Sequence, residues 1–305
     1  MSTISAPFPY FGGKSRIAAE VWQRLGNVLN YVEPFTGSAA VLLARPDSHA
    51  WWDSIETIND KDGLVSNYWR ATQADPDAVA HWADWPVNEN DLHARHSWLV
   101  HQKDSLQEHL EGDPDYYDAK AAGWWLWGIC LWIGSGWCSG NGPWQSVEGK
   151  LTHLGDAGLC EEWSEHLRAM MRGLRDRLRR VRVECGDWER VCGDSPTSGL
   201  GLTGIFLDPP YSDKVGRANN LYRIEDDSVA HRVREWAIGR GDNPLFRIAL
   251  CGYEGEHDMP DSWAELAWKT KGGYAGQGDG SNQNGSKERV WFSRYCLPPL
   301  QERLL

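Results

Sequence analysis

The sequence is short of positive charge. It sets 31 Lys and Arg against 43 Asp and Glu, a formal net charge of −12. Phosphate contacts need Lys and Arg, so this balance argues against a whole-surface nucleic-acid binder, though a local basic face is still allowed. No stretch approaches the ~20 consecutive apolar residues of a membrane span. The opening MSTISAPFPYFGGK has no basic region followed by an apolar one, so no secretion signal is expected. The seven cysteines show no close paired spacing of the zinc-ribbon kind. An odd count among apolar neighbours suits reduced thiols, and the expected location is the cytoplasm. There is no internal repeat and no nuclease-like cluster of acids with Lys. In DLHARHSWLVH, His93 and His96 lie one helical turn apart without an acid or Cys at ligand spacing, so no metal site is expected.

What is present is enough apolar material for a core, 41% of 305 residues, and 19 tryptophans. Most of these read as packing residues, a few as stacking platforms. Strand signals fall at 31–35, 56–60, 181–185, 203–208 and 245–252, and two more, at 264–270 and 288–295, close the chain. Helix signals fall between them at 37–45, at about 63–73, ahead of 181 and at about 228–238. Strands alternating with helices predict an α/β fold with a mostly parallel sheet. Residues 74–167 break that rhythm. They read as helices and loops without a strand, with a buried helix running into a glycine-rich turn over 124–144. The expected organisation is one domain formed by 1–73 and 168–305, with 74–167 inserted. The stretch 271–287 reads as a flexible polar loop.

Four short stretches carry chemistry. In VEPFTGSAAVLL, residues 32–43, a strand runs into a glycine turn and then a helix. Such a turn lets a ligand approach the backbone, and the helix start offers unpaired N–H groups; a plain connection reads much the same. The next strand ends in NDKDG. Asp60 there is placed either to hold ribose hydroxyls or to cap the next helix. In FPYFGGKSRIA, residues 8–18, aromatics precede a Gly-Gly turn that fixes Lys14 near a helix start, within reach of a carboxylate. In FLDPPY two prolines stop a buried strand and set the direction of the following carbonyls. Asp208 and the Pro209 carbonyl are then positioned to accept both hydrogens of one amino group, with Tyr211 to stack on the ring that bears it.

FPYFGGK, VEPFTGSAAVLL, IND and LDPPY, in this order, resemble the Dam-type DNA adenine-N6 methyltransferases, most closely phage and prophage members. The order implies the family's α-type arrangement. That is a Rossmann-like, S-adenosylmethionine-dependent methyltransferase sheet with helices on both faces and a mainly helical target-recognition domain inserted. The resemblance covers most of the chain outside 74–167, where only GSGWC is similar. It implies S-adenosylmethionine as methyl donor, double-stranded DNA as substrate and no metal. It places Tyr10, Lys14, Glu33, Phe35, Gly37, Asp60, Asp187 and Asp208 at the donor, Asp187 through ECGDW near the donor's adenine. It makes Asp208, Pro209, Tyr211 and Lys14 catalytic. Where the family's first motif often carries a second glycine this chain has Ala39, and a slightly shifted donor is expected. An N4-cytosine methyltransferase and a non-catalytic DNA-binding relative are the alternatives. Neither the recognition sequence nor a partner endonuclease can be read here. The arginine-dense segment 168–182 is either a solvated helix face or a phosphate-contacting surface.

Overall fold

A computed structural model describes residues 4–10, 13–49, 53–132, 137–138, 161–211, 229–268 and 288–299. The loop stretch 271–287 and most of the glycine-rich turn lie outside them.

The seven expected strands all form: β1 (Asn30–Glu33), β2 (Ile55–Asp60), β3 (Val181–Cys185), β4 (Thr203–Leu207), β5 (Phe246–Tyr253), β6 (Ala264–Ala267) and β7 (Glu288–Phe292). They make one sheet in the order β3-β2-β1-β4-β5-β7-β6. The first five are parallel, while β7 runs antiparallel to both β5 and β6. The fold is therefore α/β with a mostly parallel mixed sheet, consistent with a Rossmann-like architecture. All residues of β1 and β4 are buried, as expected of strands covered on both faces, whereas β6 at the outer edge is mostly exposed.

Alternate residues feed two apolar layers. Tyr31, Phe206, Cys251 and Val290 pack with α1 (Ala18–Leu25), α2 (Ala40–Leu43) and α3 (Gly63–Ala74). Val32, Ile205, Leu207, Ile248 and Trp291 pack on the other face with α8 (Glu189–Cys192) and α9 (Val229–Gly241). This is the period-2 alternation of a strand read from both sides. Trp22 of α1 is fully buried, and its indole N–H donates to the Val41 carbonyl at 2.6 Å.

Within 74–167 the described residues form α4 (Pro76–Ala83), α5 (Glu89–Gly112), α6 (Ala119–Leu131) and the start of α7 (Glu161–Leu178), with no strand among them. Each of α4, α5 and α6 starts on a side-chain cap: Asp75 accepts from Ala78 N, Asn88 from Asp91 N and Asp118 from Ala121 N. Pro76 stands at the first helical position of α4, where its missing N–H costs nothing. These helices gather around α3, and their apolar side chains continue the layer that covers the first sheet face. Among the described residues no helix is long and apolar enough to cross a membrane.

Two boundaries moved for visible reasons. The first strand stops at Glu33 because Pro34 has no N–H for the ladder. The following helix begins at Ala40 rather than residue 37. Gly37 (φ 46°) and Ala39 (φ 52°) both adopt left-handed backbone.

Candidate active site at the carboxyl edge of the sheet

In a doubly wound sheet, ligands bind outside the carboxyl ends of the strands where the strand order reverses. Here that point lies between β1 and β4. A cleft opens there, about 950 Å³ counting the space continuous with solvent. It is walled by the segments that follow β1, β2, β3 and β4 and by the stretch around Tyr10 and Lys14. Of the residues singled out in the sequence, Tyr10, Lys14, Glu33, Phe35, Gly37, Asp60, Asp187 and Asp208 all line it.

The N-terminal segment reaches the cleft because Phe8 anchors it. The buried Phe8 ring packs edge-on against Tyr68 of α3 and Trp125 of α6, at 5.2 and 4.9 Å between centroids. Two residues on, Tyr10 lies across the turn after β1. A Cβ built on Gly37 would sit 2.5 Å from its ring, so this glycine is required both by its φ and by that approach. Lys14, almost fully buried, then pairs with Asp208 Oδ2 at 2.8 Å.

The turn itself is braced from β2. The Asn59 amide donates to the carbonyls of Pro34 and Gly186, each at 3.0 Å, and so ties the ends of β1 and β3 together. Asp60 accepts from Gly37 N through Oδ2 and from Asp62 N through Oδ1. The cap of α3 is Asp62, which accepts from Leu64 N, so of the two readings of Asp60 the capping role belongs to its neighbour. Asp187 accepts from Glu189 N at the cleft wall. Beside it the Phe35 and Trp188 rings stand 6.3 Å apart, tilted by 33°. The buried Trp188 indole nitrogen has no hydrogen-bond partner among the described residues.

Glu33 is buried at the floor. Its Oε2 accepts from the Tyr31 hydroxyl at 2.9 Å and from Leu42 N at 3.1 Å, so the strand supplies the cap that Ala39 cannot give α2. Burial pushes the Glu33 carboxyl up to about 8, against these two hydrogen bonds and with Asp208 and Glu56 adding to the rise.

The DPPY corner is arranged differently from the sequence expectation. Asp208 and Pro210 line the cleft, while Pro209 and Tyr211 are buried and do not line it. The Tyr211 ring packs edge-on against Tyr253 at 4.6 Å, and Lys14 Nζ lies 5.4 Å from its centroid. Its hydroxyl lies 3.1 Å from Asp208 Oδ1 and 2.9 Å from Glu288 Oε2. One hydroxyl proton cannot serve two carboxylates, so full pairing needs a proton on one of them. Burial, the largest cause, raises the Glu288 carboxyl, against the pull of Lys14 and the Tyr211 hydrogen bond.

Sequence reasoning missed Asn59, Trp188 and Glu288. Asn59 and Trp188 adjoin motif acids and were open to notice. Glu288 lies far along the chain and meets Tyr211 only because β7 inserts beside β5. Among the described residues no group of three His, Cys, Asp or Glu is placed to hold a metal ion. His93 instead meets Glu89 at 3.5 Å, and His96 stacks on Trp132.

No protein-family model matches this chain, and no curated protein matches it either.

Proposed function

We propose that the chain is a DNA methyltransferase that moves a methyl group from S-adenosylmethionine to N6 of an adenine turned out of the duplex. The observation that carries this reading is the Lys14–Asp208 pair. It stands at the switch point, at the mouth of an acid-rich cleft, on a strand end fixed by two prolines.

The residues fit the donor. A sulfonium is a cation, and the cleft holds Glu33, Asp60, Asp62, Asp187 and Asp208 against Lys14 and Lys61. Phe35 and Trp188 offer apolar faces for a flat ring, with the Trp188 N–H beside them. Asp60 accepts from Gly37 N and Asp62 N through its two oxygens at the cleft wall, and a carboxylate is a suitable acceptor for ribose hydroxyls. When bound, S-adenosylmethionine supplies an electrophilic methyl group.

The chain's own residues do the rest. Lys14 orients Asp208, so that its carboxylate accepts one amino hydrogen, and the Pro209 carbonyl accepts the other once the corner turns toward the cleft. This draws the nitrogen lone pair out of the ring and stabilises the positive charge that develops there. Turning the base out of the stack costs a few kcal/mol. Return of ~1–3 kcal/mol by stacking on Tyr211 requires its ring to leave Tyr253. The helical block 74–167 is the part we assign to target readout, and DNA as substrate places the protein in the cytoplasm.

The test is transfer of labelled methyl from S-adenosylmethionine to DNA, with mapping of the modified base. N6-methyladenine supports the reading. N4-methylcytosine changes the acceptor, and no transfer to any DNA refutes it.

A further inference from the structure

Buried carboxylates are rare unless paired, because the charged form loses its hydration. Glu33 lines the ligand cleft at 2% exposure, and no Lys or Arg among the described residues forms an ion pair with it. The groups around it supply two hydrogen bonds but no positive charge. Tyr31 and Leu42 N donate hydrogen bonds to one oxygen only. Asp208 across the cleft and Glu56 further down the sheet are both acids. Of the lysines that line the cleft, Lys14 is committed to Asp208.

We propose, resting on the reading above, that Glu33 is an exchangeable counter-charge: neutral in the ligand-free protein, it gives up its proton when a cationic sulfonium enters, and it thereby distinguishes the charged donor from the neutral thioether left after methyl transfer. The carboxyl held up at about 8 in the protein alone agrees with this. The sulfonium must carry its methyl toward Asp208, the group whose charge already acts on Glu33, so the two sites are electrostatically joined. The step balances: one proton leaves the Glu33 carboxyl for buffer as one positive charge enters the cleft. The sign follows from linkage. Below about 8 the free protein holds a proton that the donor complex lacks, so donor affinity rises with pH and levels off above that value. After the methyl group leaves, the sulfur is uncharged, Glu33 regains its proton, and the product is held less tightly.

The experiment is titration calorimetry of the full chain with S-adenosylmethionine and with S-adenosylhomocysteine, at about pH 7, in buffers of different ionisation enthalpy. About one proton should be released per donor bound, and clearly less per product. Donor affinity should climb by up to about tenfold per pH unit below about pH 8, and the donor-to-product affinity ratio should climb with it. Glu33→Gln should bind the donor without releasing a proton and lose that pH dependence. The wild-type titration is decisive by itself, whether or not the variant folds. Donor binding without proton release, or equal release with donor and product, overturns the proposal while the proposed function stands. If neither compound binds at all, that function falls and the proposal falls with it.

Discussion

The two ends of the sheet treat a buried glutamate in opposite ways. At the amino end, Glu56 on β2 is 2% exposed. Arg177 grips it with both terminal nitrogens, at 2.6 and 2.9 Å, and Arg45 adds a contact at 3.1 Å. Arg45 also donates to the carbonyls of Val28 and His49, so the pair knits β2 to the segments packed around it. At the carboxyl end Glu33 is just as buried and has no ion-pair partner among the described residues. On the proposed function, the difference separates a carboxylate that holds the fold from one kept for a ligand. A structural carboxylate is neutralised by its own chain, whereas a binding carboxylate has its cation arrive from outside.

Substitutions at each end should separate accordingly. Asp208→Asn keeps the side-chain shape and removes the charged acceptor. Per folded molecule it should lower methyl transfer by about 10³-fold, the range seen when one aligned electrostatic group is lost, beside whatever stability is lost by leaving the buried Lys14 without its ion-pair partner. Activity within tenfold of wild type would end its role. Glu56→Ala should do the reverse. It strands two buried arginines, and removing one partner of a buried pair costs about 3 kcal/mol. Denaturant unfolding should show that loss, while activity per folded molecule stays unchanged. A Glu56 variant that is stable but inactive would erase the distinction between the two ends.

The same contrast explains how much was legible in the sequence. Strand identity was, because period-2 apolar runs bounded by Pro, Gly and Asp leave little choice. So were the residues of the cleft, because the strands are parallel and their carboxyl ends share one edge. Where the segments are short, motif order is enough to bring Lys14, Glu33, Asp60, Asp187 and Asp208 together. Two things were hidden. The meeting of Glu288 with Tyr211 depends on β7 inserting antiparallel between β5 and β6, and no local pattern encodes a strand's neighbour. The state of Tyr211 was hidden as well. A motif gives the ring, but its edge-on packing on Tyr253 is set by a residue more than forty positions away.

A smaller effect lies at Ala39. It is fully buried at φ 52°, where a Cβ meets the following carbonyl at a cost of roughly 1–2 kcal/mol. Ala39→Gly relieves that strain but surrenders one buried methyl, ~0.8 kcal/mol. The variant should be more stable by less than about 1 kcal/mol, read as a small rise in the unfolding midpoint. A loss of stability would mean that packing, not backbone strain, governs this corner of the cleft.

The smallest effect is expected from the arginines that looked most like a DNA-binding surface. Arg177 of α7 is taken by Glu56 and is unavailable to phosphate. Arg175, Arg179 and Arg180 are exposed. Arg179 and Arg180 sit in the turn that Gln73 clamps by donating to the Leu178 and Val181 carbonyls. Val181 pairs with Glu56 at the amino end of β2, while Cys185 pairs with Asp60 at the cleft. The length of β3 therefore separates this turn from the cleft, about 16 Å at ~3.3 Å per residue. A duplex that delivers a base to the carboxyl edge meets the opposite end of the strands from Arg179 and Arg180. Replacing all three with Ala should leave the slope of log affinity against log salt within about one unit of wild type, because each lost phosphate contact removes ~0.9. Donor binding should be unchanged. A slope lower by about three units would put the DNA backbone at the amino edge, and the division of labour between the two ends of the sheet would have to be redrawn.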